Sequence, residues 1–291
     1  MRVTEPRCRI GLTMWSHNEW QASFFGRGTK TSQRLEKYAQ VFNTVEGNTT
    51  FYATPASSTV ANWHSATPDN FRFTFKLPSA ITHQHQLVNC QEALSDFLRV
   101  MSPLHEKVGM WTIQLPAQFS PEQLSNLMAF CQWFPKDFPL GIEVRHLAFF
   151  DKGENEKRLN HWLVETGIDR IIMDSRPVFA AKPDTPAVIE AHSQKPRVPT
   201  HAIATAEQPM IRFIGHPDLE ANSTFFAPWL KTIPQWIEQG KTPYIMVHTP
   251  DNNLAPQLAK QLYQQLQQLT TLPALARFPA EDDDGQQLAM F

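Results

Sequence analysis

Glu143 and Arg145 stand two residues apart in Leu140-Gly-Ile-Glu-Val-Arg-His, and Asp174 and Arg176 repeat that spacing in Arg170-Ile-Ile-Met-Asp-Ser-Arg. Residues two apart on an extended strand share a face, so each pair offers a carboxylate and a guanidinium on one side. Assigning Ile142, Val144, Ile171 and Met173 to an outer apolar side turns both pairs inward. The same alternation turns in Thr13, Trp15, Thr44, Glu46, Asn48, Arg72, Thr74, Lys76, Thr112, Gln114, Arg212, Met246 and His248. Phe71, Phe73 and Phe75 go outward, and His216 follows just beyond the Arg212 strand. The inward set holds five cations (Arg72, Lys76, Arg145, Arg176, Arg212) against three carboxylates (Glu46, Glu143, Asp174). Buried charges are costly unless paired, so the surplus asks either for an anionic ligand or for a closed ion-pair plug.

Metal-free acid/base chemistry suits these residue types. Glu143 is the candidate general base, Arg145 and Arg176 the clamp on an anionic substrate, and Lys76 the stabiliser of developing negative charge. A desolvated Lys76 can instead form a Schiff base. Asp174 and His248 complete the catalytic candidates; Arg212, Trp15, Glu46, Asn48, Gln114 and His216 are candidates for substrate contact. Trp15 either stacks on a ring of the ligand or plugs the lumen. Glu46, Glu143, Asp174, His216 and His248 are acceptable ligand types for a divalent metal, but the interleaved cations oppose one. No metal and no cofactor is therefore expected. The rival class is binding without turnover, in which the barrel recognises a nucleic-acid end or a modified nucleotide and recruits other factors as a DNA-maintenance accessory protein.

The elements that must position these residues are strands at 10–15, 41–48, 71–77, 109–115, 140–145, 170–175, 210–215 and 244–248. Their starts advance by about 33 residues, close to the repeat of a barrel of eight strand–helix units. Helical spacing of apolar residues fills the gaps at 31–40, 57–65, 91–101, 120–131, 160–166, 229–239 and 255–269, with Pro234 expected to kink or restart its helix. The sixth connection, 177–209, carries six prolines and only a short helical pattern at 185–192, which reads as a long loop over one barrel face. The expected fold is α/β: a single (β/α)8 TIM-type barrel over 8–272, with a flexible acidic tail at 273–291.

Several of these strings are familiar together. Ile10-Gly-Leu-Thr-Met-Trp-Ser, Phe42-Asn-Thr-Val-Glu-Gly-Asn-Thr-Thr-Phe-Tyr, Phe71-Arg-Phe-Thr-Phe-Lys with Ile81-Thr-His, Gln114-Leu-Pro, Gly141-Ile-Glu-Val-Arg-His and Ile172-Met-Asp-Ser-Arg-Pro resemble the YecE-like family (DUF72) over about residues 8 to 270. The resemblance implies a TIM-type barrel and, through likeness to endonuclease-IV-type barrels, nucleic-acid or sugar-phosphate chemistry. Two strings depart from the commoner pattern. Leu12-Thr-Met-Trp stands where many members carry a Thr-Ser-Gly-Trp-like string, and His248-Thr-Pro-Asp-Asn where many carry Phe-Asn-Asn.

Twenty-six Lys and Arg against 28 Asp and Glu give a net charge of −2, which excludes a generally basic nucleic-acid coat. Three cysteines far apart form no CxxC motif, and no signal-peptide core or 18-residue apolar run is visible. A cytoplasmic monomer without membrane contact is expected. At the far end, Gln287-Leu288-Ala289-Met290-Phe291 follows the acidic run at 281–284 and resembles the short bacterial sliding-clamp-binding motif. Either Phe291 tucks against the barrel or Gln287, Leu288, Met290 and Phe291 dock into a clamp groove. On the docking reading, a peptide of residues 281–291 binds a bacterial clamp with micromolar-order affinity, about −8 kcal/mol. Changing Leu288 and Phe291 to Ala abolishes that binding, and a silent wild-type peptide refutes the motif.

Overall fold

Each expected strand segment forms a parallel strand in the computed structural model, which describes residues 6–281. They are β1 (Arg9–Leu12), β2 (Thr44–Gly47), β3 (Arg72–Lys76), β4 (Val108–Gln114), β5 (Leu140–Glu143), β6 (Asp169–Asp174), β7 (Met210–Ile214) and β8 (Tyr244–His248). They close in sequence order, with β8 pairing back on β1. Around them lie α1 (Arg34–Val41), α2 (Thr49–Tyr52), α3 (Ser57–Ser65), α4 (Gln91–Met101), α5 (Leu124–Trp133), α6 (Glu154–Thr166), α7 (Arg176–Ala180), α8 (Pro186–Gln194), α9 (Ser223–Glu238) and α10 (Ala255–Gln267). None of these described helices is long and apolar enough to cross a membrane.

Alternation sorts the strand side chains into two environments. Outward residues such as Phe73 and Phe75 stack on each other and pack against Trp63 of α3. Inward, Met110, Ile171, Met210, Tyr244 and Met246 form a buried apolar layer. The charged layer of Glu46, Lys76, Glu143 and Arg212 comes from residues at or near the C-terminal ends of their strands. Where β1 meets β2, Gly11 leaves no room for a side chain: a Cβ there would lie 1.9 Å from the Thr44 carbonyl oxygen. That close approach lets the Tyr38 hydroxyl accept from Leu12 N at 2.8 Å and donate to Thr44 O at 2.9 Å, tying α1 to both strands.

β6 departs from the expected alternation. Ile171 joins the apolar layer and Met173 lines the mouth, so Asp174 and Arg170 face the helices. Arg170 donates to Glu156 and Asn160 of α6, and Asp174 accepts from the indole of Trp229 on α9 at 2.7 Å. The helix layer here supplies polar partners, while the lumen below the charged residues needs apolar volume.

The sixth connection is more structured than a loop. It contains α7 and α8, the latter capped by the Thr185 hydroxyl accepting from Val188 N. The chain after α8 is fastened by Ser175 Oγ to Pro196 O, Thr205 Oγ1 to Ile168 O, and His201 Nδ1 to Glu156 Oε1. α9 runs unbroken through Pro228 and Pro234, so Pro234 does not restart it. Burial of Phe226, Trp229, Ile233, Trp236 and Ile237 on one side holds both flanks of each proline in place. Within 273–281, expected as part of the tail, one side chain packs on the barrel. Phe278 is buried against Phe24 at 4.9 Å, with the Lys260 ammonium over its ring.

Candidate active site at the barrel mouth

Arg212 projects from β7 into the lumen and binds two carboxylates from distant strands. Its Nε donates to Glu46 Oε2 at 2.7 Å and its Nη1 to Glu143 Oε2 at 2.8 Å. Glu143 Oε1 accepts from Arg145, Nη2 at 2.6 Å and Nε at 2.8 Å. On the other side, Lys76 Nζ lies 3.3 Å from Glu46 Oε1, near enough for ion pairing but without hydrogen-bond alignment. The result is one chain, Lys76–Glu46–Arg212–Glu143–Arg145, running from the sealed lumen to the half-exposed Arg145.

Above this chain opens a cleft with two connected lobes, of about 540 and about 380 Å³. Both are lined by Asn48, Tyr52, Lys76, Lys195, Arg212 and His248. Thr13, Trp15 and Asn252 extend the larger lobe; His83, Gln114 and Arg145 extend the smaller. Four cations (Lys76, Arg145, Lys195, Arg212) therefore face two carboxylates in and beneath the cleft. Asn48 Oδ1, Gln114 Oε1, His248 Nε2 and Asn252 Oδ1 are buried there without a hydrogen-bond partner among the described residues. Unpaired buried polar atoms are uncommon, and four of them converge on this one cleft.

The charges set one another's protonation. Burial alone raises the Glu143 carboxyl, but Arg145, Arg212 and Lys76 outweigh it and hold the group at about 2. Glu46 is likewise pushed up by burial yet ends below the usual range because of Arg212 and Lys76. Burial, then Arg212, brings Lys76 down to about 8. Burial and the nearby Lys195, Arg212 and Lys76 keep His248 neutral, well below the ordinary histidine value. Burial and Arg212 also lower Lys195.

Of the residues picked from sequence, Glu46, Asn48, Lys76, Gln114, Glu143, Arg145, Arg212, His248 and Trp15 gather in or under this cleft. Trp15 stands at the wall, edge-on to Trp63 at 5.3 Å, rather than as a plug across the lumen. Asp174 and Arg176 do not join. Their ion pair at 2.7 Å lies on the helix side of β6, because that strand places its two isoleucines on opposite faces. Arg72, on the first residue of β3, donates to the carbonyls of Asp69 and Phe71, away from the mouth. His216 sits in the turn after β7, where its Nδ1 accepts from Asp218 N and its own N–H donates to Asn222. Among the described residues no group of three His, Cys, Asp or Glu side chains is gathered to hold a metal. Gln287, Leu288, Met290 and Phe291 lie outside the described residues.

Sequence reasoning missed Lys195 and the exposed ring of Tyr52. Lys195 follows α8, inside the long connection, and no periodic pattern could assign it a face. A separate groove of about 470 Å³ between α4 and α5, lined by Leu94, Leu98, Trp133 and Phe138, has no comparable set of converging polar groups.

Comparison with known proteins places this geometry among relatives. The model of a family described as "Protein of unknown function DUF72" matches residues 9–282. UPF0759 protein YecE of Escherichia coli (strain K12) is 46% identical over 271 residues, covering 93% of this chain and 96% of that protein. UPF0759 protein YunF of Bacillus subtilis (strain 168) is 27% identical over 214 residues, covering 71% of this chain and 69% of YunF. Among solved structures, a DUF72 family protein (TM1631) from Thermotoga maritima MSB8 superposes with a TM-score of 0.70 at 22% identity, covering 89% of this chain and 99% of its own. A DUF72 family protein (EF0366) from Enterococcus faecalis V583 gives a TM-score of 0.67 at 23% identity, covering 93% and 98%.

Proposed function

The chain belongs to the DUF72 family, and from the barrel mouth we propose that it is an enzyme acting on an anionic, phosphate-bearing sugar or nucleotide by metal-independent acid/base chemistry. The observation that carries this reading is Lys195. Its ammonium lines the cleft with no ion pair or hydrogen bond among the described residues, in the same lobe as Arg145, whose side chain is 21% exposed although it binds Glu143. A closed plug would pair its cations; here two reach the opening. A phosphate between them replaces the missing partner with charge-assisted hydrogen bonds.

The roles follow from the electrostatics. Glu143, held at about 2 with both oxygens occupied by arginines, is a poor proton acceptor. It is better read as the group that fixes Arg145 and Arg212 than as the general base expected from sequence. Lys76, near 8, is better matched to proton transfer close to neutral pH, with the buried, neutral His248 lining the same cleft as a hydrogen-bonding group. Asn48 and Gln114 present unpaired carbonyl oxygens that suit sugar hydroxyls.

Titration of the full chain with inorganic phosphate, followed calorimetrically at low salt, tests the reading. Lys195→Met and Arg145→Met are each expected to weaken binding about tenfold or more, since hydrogen bonds to charged groups are worth about 1.5–3 kcal/mol. Arg99→Met, in the outer groove, serves as the control and leaves affinity unchanged. Phosphate binding that ignores both cleft substitutions would refute the site, as would no binding at all.

A further inference from the structure

Lys76 is placed differently from the other cations of the cleft. It ends β3 with only 7% of the residue exposed, its Nζ 5.8 Å from the centre of the Phe51 ring and 3.3 Å from Glu46. An amine meant only to hold an anion gains from exposure to its counter-ion and from full protonation. Burial beside Arg212 instead makes this one release its proton readily. A free amine adds to carbonyl carbon, which a guanidinium does not. Arg145 and Lys195 line the same lobe, and so does His248 with its unpartnered Nε2.

We propose that Lys76 forms a Schiff base with a small aldehyde or ketone that also carries a phosphate group. This rests on the mouth being an anion site and narrows its substrate to a phosphorylated carbonyl compound. The ε-nitrogen lone pair adds to the carbonyl carbon while the C=O π pair moves onto oxygen, giving a carbinolamine. The C=N bond then forms as the C–O bond breaks, and the two protons lost by nitrogen leave with that oxygen as water. These protons pass from nitrogen to the departing oxygen through solvent in the cleft, while the neutral His248, lining the same lobe with an unpartnered Nε2, is available to hydrogen-bond the carbinolamine. Nothing is oxidised or reduced, and re-addition of water restores the free lysine. Phosphate held by Arg145 and Lys195 raises the local concentration of the carbonyl at the amine.

The test is reductive trapping on the full chain. The protein is incubated with glyceraldehyde 3-phosphate or with dihydroxyacetone phosphate in the presence of sodium cyanoborohydride, digested, and mapped by mass spectrometry. The expected result is a reduced adduct on Lys76 with at least one probe, suppressed by excess inorganic phosphate and absent in Lys76→Arg. The unphosphorylated analogues should label Lys76 at least tenfold more slowly. The wild-type peptide map locates the adduct by itself, so a folding defect in the variant does not obscure the answer. Labelling confined to other lysines, or none on Lys76 with either probe, overturns the proposal. Phosphate titration of the same sample then separates the two failures. Retained binding means that only the carbonyl step falls, whereas lost binding removes the anion site as well.

Discussion

Arg212→Met is expected to cost the fold about 3–5 kcal/mol, because it leaves two buried carboxylates without their shared partner. Glu46 would keep only a misaligned lysine 3.3 Å away, and Glu143 only Arg145. Arg145→Met differs in degree. It leaves the buried Glu143 Oε1 without a donor while Oε2 retains Arg212 at 2.8 Å, so a smaller loss, about 1–3 kcal/mol, is expected. Chemical denaturation of the two variants, compared by midpoint at constant slope, makes the contrast measurable. Equal, large losses in both would mean that the charged layer is a closed plug whose every member is structural.

Acid should unfold the barrel through the same layer. The Glu143 carboxyl sits at about 2 in the fold against an ordinary 4.5, so its ionised form binds the folded state preferentially. The stabilisation is therefore complete above pH 4.5 and is lost as pH falls through the folded value near 2. One pKa unit is worth about 1.4 kcal/mol, which makes the loss on the order of 3 kcal/mol. Glu143→Gln should be less stable than wild type at pH 6 and should lack this part of the acid slope. An identical slope in both proteins between pH 4.5 and 2 would assign the acid sensitivity to other groups.

How far the sequence foretold this site depends on which signal each residue carried. Runs rich in β-branched and aromatic residues marked all eight strands, and period-two alternation placed Glu46, Lys76, Glu143, Arg212 and His248 inward because the residue before each is apolar. It misplaced Asp174 because Arg170-Ile-Ile-Met-Asp offers adjacent isoleucines, so that either parity buries one of them. Only the tertiary demand for Ile171 beside Met110 and Met246 decides between the two. α6 begins at Glu154, ahead of the expected 160, since its first turn is polar and shows no apolar face. Lys195 was invisible for a different reason. It sits where regular structure ends, and its position depends on ties such as Ser175 to Pro196 O, which pattern reading does not register. The expected surplus of two cations reappears in the cleft, but with Lys195 present and Arg72, Arg176 and Asp174 absent.

A crystal of the full chain soaked in phosphate tests the anion site most directly. The account predicts one well-ordered phosphate in the cleft, with Lys195 Nζ and the Arg145 guanidinium within hydrogen-bond distance and Lys76 facing it from the floor. A cleft that stays free of anion at saturating phosphate, or a phosphate bound only at surface lysines, would contradict it.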